Sequence, residues 1–311
     1  MRILVIKPSS LGDIVHAMVV VSSLKLQRPD VVIDWIVGDR FWDIVAQSGI
    51  AFRILRYERH GGIVSFFHLI SEIRHCHYDY VFDMQGLARS GLMTFFAKSS
   101  HKIGRKDARE FSRLAYSRTV SHPGFGHAID ILKGFLDIVG CKTEVSGLVP
   151  ELENIHSPSF ETFLRREILP NQFICIFPES RRREKEWSFF LPLVKKISEQ
   201  RKHTAILLMG SQPHCEYAIS SPLCFDLFGK TSLSDTVFLI KNAQLVIAND
   251  SGPLHISAAL GRNTLGLFTA TDPVRFGPYP SHKNHNRVLC LKNLPHEVDS
   301  VTQVALEMLS R

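Results

Sequence analysis

Several features that would assign a function class at once are absent from this chain. No stretch of about 18 uninterrupted apolar residues occurs, so the sequence predicts no membrane-spanning helix. The six cysteines, at positions 76, 141, 175, 215, 224 and 290, include no CxxC pair, which favours reduced core thiols over a disulfide framework or a zinc site. Neither GxGxxG nor a Walker loop is present, which argues against a dinucleotide cofactor and against P-loop hydrolysis.

What is present indicates an ordinary soluble protein of two domains. The chain has 311 residues, of which 45% are hydrophobic and 22% charged. Arg2 leads directly into an apolar segment that Lys7 interrupts, so no secretory signal is predicted at the N-terminus. We therefore expect a cytoplasmic protein.

The net charge of +7 is concentrated between Lys98 and Arg118. That segment contains only two acidic residues, Asp107 and Glu110, but seven basic ones (98, 102, 105, 106, 109, 113 and 118). If the segment is helical, its residues 102, 105, 109 and 113 form one stripe. Such a stripe is either a solvated face or a surface for phosphates of a lipid, a sugar or a nucleic acid. No aromatic-interleaved basic strand or recognition helix accompanies the charge, so nucleic acid is not expected as a partner.

Strands and helices alternate along the chain. Predicted strands are 2–6, 32–37, 52–55, 79–83 and 101–103, then 173–177, 204–209, 224–228, 244–248 and 264–268. In the second half, helices are predicted to begin near 188, 212, 233 and 253, and a last one covers 298–310. The polar segment 149–159 contains two prolines, as a linker does. The pattern predicts two parallel-sheet α/β domains.

The helix predicted over 63–76 has an apolar side. Ile63, Phe66, Phe67, Ile70 and Ile73 lie on it at helical spacing. We interpret this side as core, with a membrane-facing surface as the alternative.

The loop Lys7-Pro-Ser-Ser-Leu-Gly-Asp13 follows the first predicted strand and precedes a helix. Open α/β sheets bind ligands at this end of their strands. Gly12 permits a turn or a close approach of substrate to the backbone. Asp13 is either a helix cap or a catalytic carboxylate.

Three loops in the second half carry polar groups. After strand 173–177, Arg181 to Arg183 and Lys185 either neutralise a diphosphate or form a solvated loop. After strand 244–248, a helix beginning near Pro253 offers backbone amides to an anion. His255 in that helix is a ligand contact or a buried, hydrogen-bonded histidine. The turn 229–233 is a candidate edge for a nucleotide base.

The blocks RILVIKPSSLGDIVHA, YDYVFDMQGLARSG, Lys185-x-Trp187, NDSGPLHISAAL and Thr271-Asp-Pro273 resemble the ADP-heptose:lipopolysaccharide heptosyltransferases, glycosyltransferase family 9. The blocks occur in family order over nearly the whole chain, and the heptosyltransferase I branch looks most similar. The resemblance implies a GT-B fold, in which two Rossmann-like parallel-sheet domains face each other across a cleft. It also implies an acceptor-binding domain over 1–150 and a donor-binding domain over 151–311, with the option that the last helix packs back on the first domain.

The resemblance implies roles for individual residues. Asp13 matches the family's catalytic base. The positions that match the donor site are Ser180, Arg181, Lys185, Thr231, Asp250, Ser251, Gly252 and His255. The positions implied on the acceptor side are Ser10, Gly12, Asp83, Gln85, Arg89, Arg105 and Arg109.

The implied activity is inverting transfer of heptose from ADP-L-glycero-D-manno-heptose to the Kdo/inner-core region of lipopolysaccharide. Because the chain has no Asp-x-Asp pair, the usual carboxylate set for a metal-bound nucleotide sugar, no metal is expected. No cofactor is expected either, since ADP-heptose would be a co-substrate. The expected partners are the nucleotide sugar, an anionic lipopolysaccharide precursor and, peripherally, the cytoplasmic face of the inner membrane. The alternatives are a same-fold enzyme with another nucleotide sugar or a protein acceptor, and a non-catalytic nucleotide-sugar or polyanion-binding protein.

Overall fold

A computed structural model describes residues 1–121, 126–168, 172–211, 222–281, 283 and 285–310. The chain divides into two compact units, Met1–Asn154 and Ile155–Arg311. The sequence predicts the division after residue 150, within the same polar segment. Among the described residues, no helix has the length and apolar character needed to cross a bilayer.

The first unit is a six-stranded parallel sheet covered by helices. Its strands are β1 (Arg2–Ile6), β2 (Val32–Gly38), β3 (Arg53–Tyr57), β4 (Tyr80–Asp83), β5 (His101–Arg105) and β6 (Arg118–Val120). Its helices are α1 (Leu11–Gln27), α2 (Trp42–Ser48), α3 (Gly62–Arg74), α4 (Ala88–Phe96) and α5 (Ala128–Ile138). The strand order β3-β2-β1-β4-β5-β6 reverses direction between β1 and β4. Ligands of open α/β sheets bind beyond the carboxyl ends of the strands at this reversal.

The second unit repeats this topology. Its strands are β7 (Gln172–Phe177), β8 (Thr204–Leu208), β9 (Cys224–Asp226), β10 (Leu245–Asn249), β11 (Thr264–Phe268) and β12 (Asn286–Cys290). Its helices are α6 (Pro158–Phe163), α7 (Phe190–Gln200), α8 (Leu233–Asn242), α9 (Gly252–Ala259), α10 (Pro273–Phe276) and α11 (Glu297–Leu309). The order β12-β11-β10-β7-β8-β9 places its reversal between β7 and β10. Two Rossmann-like parallel sheets are thus confirmed.

Most predicted strands lie within one or two residues of the observed ones, because they are runs of apolar residues buried on both faces of a parallel sheet. The strands β6 and β12 were not predicted. Both are edge strands, and their polar residues give no continuous apolar run. The helix predicted near residue 212 lies outside the described residues.

The prediction of a helical basic stripe through residues 102, 105, 109 and 113 is wrong. Residues 101–105 form β5, and a 3-10 turn covers Ser112–Ala115. A Cβ atom on Gly104 would lie 2.1 Å from the Tyr116 ring, so this part of the strand is closely covered. Pairing of β5 with β4 and β6 on its two sides outweighs the helical spacing of the charges.

The last helix packs on the sheet of the second unit. Val298, Val301, Ala305, Met308 and Leu309 of α11 belong to the core formed with β7, β10 and α7. Burial of this apolar face fixes the helix on its own sheet.

The apolar side predicted for α3 is only partly core. Ile70 and Ile73 are buried and Phe66 packs against the same cluster, whereas Ile63 and Phe67 are exposed. The helix has more apolar residues than its contact with the sheet can cover.

Candidate functional site

The first group of predicted residues lies where β1 passes into α1. Ser10 is the N-cap of α1, and Gly12 and Asp13 lie in its first turn. The Asp13 Oδ2 atom accepts hydrogen bonds from the Ser10 backbone N–H at 3.1 Å and from the Ser10 hydroxyl at 2.6 Å. Asp13 is therefore a capping residue at the third helical position. Its side chain is nevertheless 45% exposed.

The second carboxylate oxygen of Asp13 faces a buried lysine. The Lys7 ammonium lies 3.8 Å from Asp13 Oδ1 and donates a hydrogen bond of 3.2 Å to the Met84 carbonyl. Burial would raise the pKa of Asp13, but the Lys7 charge and the Ser10 hydrogen bonds outweigh it and hold that pKa well below its usual value. Burial also lowers the pKa of Lys7. Asp13 is thus an ionised, accessible carboxylate at neutral pH.

Asp83 ends β4 and is fully buried. Its Oδ1 atom accepts the backbone N–H groups of Gln85 and Gly86, each at 2.9 Å. Its Oδ2 atom accepts the Tyr116 hydroxyl at 2.7 Å. Burial raises the pKa of Asp83. Asp83 therefore fixes the conformation of the loop after β4. Because it is fully buried, it does not contact a substrate directly.

The other predicted acceptor residues surround this loop. The Ser9 backbone N–H donates to Gln85 Oε1 at 3.3 Å, which connects the loops after β1 and β4. Arg105 forms a two-point ion pair with Asp107, with contacts of 2.9 and 2.6 Å. Arg89 donates to the Tyr57 hydroxyl at 2.6 Å, whereas the Arg109 side chain is exposed. The structure brings these residues to one edge of the sheet, with Arg109 the least engaged.

In the second unit, the loops after β7, β10 and β11 meet at Asp250. Asp250 Oδ2 accepts hydrogen bonds from Lys185 Nζ at 2.5 Å and from the Thr271 hydroxyl at 2.7 Å. The His255 Nε2 atom lies 3.8 Å from Asp250 Oδ1. Burial would raise the pKa of Asp250, but bonding to His255, Lys185 and Thr271 outweighs it and lowers that pKa well below its usual value.

The remaining donor-side residues lie around this cluster, except Thr231. Ser180 donates its hydroxyl to the Asp250 carbonyl at 3.1 Å, and Arg181 is exposed on the loop after β7. Ser251 is the N-cap of α9, whose first residue is Gly252. The Ser251 hydroxyl oxygen is buried and has no hydrogen-bond partner among the described residues. Thr231 lies separately, in the turn before α8, with its hydroxyl 3.3 Å from that of Thr236.

This arrangement is suited to an anion and less to a metal. The α9 amides, the orphaned Ser251 hydroxyl and the Lys185 ammonium are all donors. Over the part of the chain that the structure describes, no group of three or more His, Cys, Asp or Glu side chains is placed to hold a metal ion.

Four residues of the two sites were not predicted to have site roles. The Lys7 charge lowers the pKa of Asp13, and the Tyr116 hydroxyl donates a hydrogen bond to Asp83. Thr271 holds Asp250, and Glu186 accepts the Ser180 N–H at 2.8 Å. Lys7 has a local signal, a lysine at the end of an apolar strand. Glu186 is also local, because it lies six residues after Ser180 in the same loop. Tyr116 and Thr271 approach Asp83 and Asp250 only through the order of the strands.

Comparison with known proteins decides the family. The family model of glycosyltransferase family 9 (heptosyltransferase) matches residues 66–304. The chain belongs to this family. It is therefore a glycosyltransferase, and the alternative of a non-catalytic binding protein is set aside.

Relatives of glycosyltransferase family 9 match along most of their length. The lipopolysaccharide core heptosyltransferase OpsX of Haemophilus influenzae is 26% identical over 90% of this chain and 82% of its own length. Lipopolysaccharide heptosyltransferase 1 of Pseudomonas aeruginosa is 27% identical over 92% of this chain and 83% of its own. Other relatives are named heptosyltransferases 2 and 3, so the similarity supports the family and not a single branch.

Solved structures agree on the fold. The E. coli heptosyltransferase WaaC with ADP superposes with a TM-score of 0.83 at 22% identity, covering 99% of this chain and 100% of that one. The E. coli ADP-heptose lps heptosyltransferase II gives a TM-score of 0.78 at 19% identity, covering 100% and 99%. The GT-B fold expected from the resemblance is thus confirmed.

Proposed function

We propose that this glycosyltransferase transfers heptose from ADP-L-glycero-D-manno-heptose to the Kdo/inner-core region of a lipopolysaccharide precursor, with inversion at the anomeric carbon. The observation that carries the proposal is Asp13, an accessible carboxylate kept ionised at the carboxyl edge of the first sheet. Relatives named lipopolysaccharide heptosyltransferases support the choice of substrates.

Asp13 would act as the general base. One of its oxygens is engaged by Ser10, and the other faces Lys7 across 3.8 Å. An acceptor hydroxyl bound there attacks the anomeric carbon, its proton passes to Asp13, and the bond from that carbon to the diphosphate oxygen breaks. Because its pKa is low, Asp13 is a weak base, and proton transfer accompanies formation of the glycosidic bond.

Charge that develops on the leaving ADP needs positive partners. The α9 amides, the Ser251 hydroxyl and the Lys185 ammonium are the candidates in the second unit. Asp250 holds Lys185 in place and neutralises part of its positive charge. A bound diphosphate would therefore compete with Asp250 for the Lys185 ammonium. We propose that this set needs no metal ion.

On the acceptor side, Arg89 already donates to the Tyr57 hydroxyl and Arg105 is paired with Asp107, whereas the Arg109 side chain is exposed. Arg109 is therefore the best placed of the three to bind an anionic group of the acceptor. Such an acceptor would bring the enzyme to the cytoplasmic face of the inner membrane.

The test offers the purified protein two acceptors and several donors. ADP-L-glycero-D-manno-heptose, ADP-glucose and UDP-glucose are each incubated with a Kdo-bearing precursor or with a precursor that lacks Kdo. The expected result is ADP release and product only with the heptose donor and the Kdo acceptor, and NMR should show the inverted anomer. Transfer from another nucleotide sugar would replace the proposed donor, and a retained anomer would exclude the single-displacement mechanism.

A further inference from the structure

The outer side of α3 carries large apolar side chains that no part of the described structure covers. Phe67 lies four residues after Ile63 and three after Val64, and all three are more than half exposed. The opposite side of α3 is packed, with Leu69 and Ile73 in the core. Exposed apolar groups in one place mark a binding surface more often than scattered ones do.

Helix α4, which lies next to α3, and the 3-10 turn beyond α4 expose similar side chains. Helix α4 contacts α3 and also contacts the 3-10 turn at Ser112–Ala115. We call the exposed apolar residues of these three elements the apolar face, and each is between 47% and 87% exposed: Ile63, Val64, Phe67, Leu92, Phe95, Phe111 and Leu114.

The backbone holds Phe111 in this exposed position. Glu110 and Phe111 have φ angles of 56° and 62°, in the left-handed region that bulky residues rarely adopt. The Glu110 carboxylate accepts the Ala88 N–H at 3.0 Å, which ties this turn to the start of α4. Strained backbone conformations cluster at functional sites. A strained turn that exposes the Phe111 ring therefore indicates that the ring has a binding role.

Basic side chains border the apolar face. The Lys102 ammonium lies 5.7 Å from the centre of the Phe95 ring and donates to the Phe95 carbonyl at 2.6 Å. Four exposed basic residues lie on these elements, just after α4 or on the edge strand β6: Arg74, Lys98, Arg113 and Arg118. Aromatic and aliphatic groups bordered by lysine and arginine are typical of surfaces that lie in the interface of an anionic membrane.

We infer that the apolar face docks on the surface of an anionic lipid bilayer, with its side chains in the boundary between headgroups and acyl chains. A second copy of the chain is a poorer occupant, because like-charged borders would face each other. Helix α4 begins directly after the loop that Asp83 shapes, and Arg89 donates to the Arg59 carbonyl at 3.3 Å. The apolar face therefore adjoins the edge that carries Asp13, where a lipid-anchored acceptor would arrive.

The test measures binding to vesicles without donor or acceptor, so its result does not depend on the proposed function. Wild type and the variant Ile63→Ser/Val64→Ser/Phe67→Ser are sedimented with vesicles of phosphatidylglycerol and phosphatidylethanolamine, or of phosphatidylcholine alone. The matched control is Leu26→Ser/Phe52→Ser. It removes two similarly exposed apolar residues that lie near the amino ends of β2 and β3, away from the apolar face.

We expect wild type and control to bind the anionic vesicles, and the α3 variant to lose at least about tenfold in partition coefficient. Binding should weaken in high salt and on phosphatidylcholine. In a second measurement, Phe67→Trp fluorescence should be quenched by brominated lipids, whereas Leu26→Trp fluorescence should not.

Equal loss in the control and the α3 variant, or absence of wild-type binding to any vesicle, would overturn the inference. So would a wild-type dimer in light scattering that the α3 variant abolishes, because the apolar face would then belong to a second copy. Thermal unfolding checks that each variant is folded, which we expect since every changed side chain is exposed.

Discussion

Replacing Asp13 by asparagine tests whether this residue is a base or only a helix cap. The asparagine side-chain oxygen can accept the Ser10 N–H and O–H bonds that Asp13 Oδ2 now accepts, so the cap should survive. What disappears is the negative charge. We expect kcat to fall by about two to four orders of magnitude, the usual contribution of a general base.

The structure also predicts a cost in stability. Two unit charges about 4 Å apart interact by about 4 kcal/mol at an effective dielectric constant of about 20, and by about 1 kcal/mol in bulk water. Lys7 is buried and lies 3.8 Å from Asp13, but Asp13 is 45% exposed, so its charge is partly screened. Loss of the pair should therefore cost about 1–2 kcal/mol. For a unit of this size, the thermal midpoint should fall by about 2–8 °C.

Asp235 supplies a matched control in the second unit. It occupies the same position in a cap on α8, where it accepts the Ser232 N–H at 2.9 Å and the Ser232 hydroxyl at 2.7 Å. Asp235→Asn should leave kcat unchanged. The double variant Lys7→Met/Asp13→Asn should remain as inactive as Asp13→Asn, since the base is absent from both.

The assay follows ADP release with the proposed donor and a Kdo-bearing acceptor, beside thermal unfolding of each variant. If Asp13→Asn keeps wild-type kcat while folded, Asp13 is a cap and the base lies elsewhere. If Asp235→Asn lowers kcat as much as Asp13→Asn does, capping and not proton transfer explains the loss.

Further outcomes can be measured with the same assay. Lys185→Ala should raise the donor KM and lower kcat, because a charge-assisted contact to the diphosphate is lost; an unchanged donor KM would move the phosphate site to the exposed arginines beginning at Arg181. Turnover should persist in excess chelator, and a loss that added metal restores would refute the metal-free proposal. Arg109→Glu should raise the acceptor KM at constant donor KM, with a smaller effect in high salt; equal effects on both substrates would contradict its placement. Because its pKa is lowered in the folded state, Asp250 stabilises the protein above about pH 4 and loses that contribution as the pH falls below it. Asp250→Asn should therefore lower the thermal midpoint at pH 7 more than at pH 3, and an equal loss at both would contradict the assigned charge state.

Much of the fold was predictable because its signals are local. Apolar runs such as Ile174–Phe177 and Leu245–Ala248 are buried on both faces of a parallel sheet, so nearly every residue in them is hydrophobic. The start of α9 is also marked by a local signal. Pro253 and the small residues before it indicate a helix start by their own backbone preferences.

The basic segment shows where local reasoning ends. Charges at helical spacing between 102 and 113 have no preference for a helix strong enough to outweigh strand pairing on both sides of β5. The distribution of apolar residues on α3 likewise does not say which of them the sheet will cover, because that depends on the neighbouring helix.

The sequence by itself determined the two units, most of their strands and the loops that carry the candidate residues, because backbone preferences and apolar periodicity act over a few positions. Only the tertiary structure decided how far the pKa of Asp13 is lowered, because it places the buried Lys7 ammonium 3.8 Å from that carboxylate. It also decided the grouping of Lys185, Asp250 and Thr271, which lie after three different strands. Electrostatic and hydrogen-bond partners far apart in sequence meet only when strand order places their loops at one edge of the sheet.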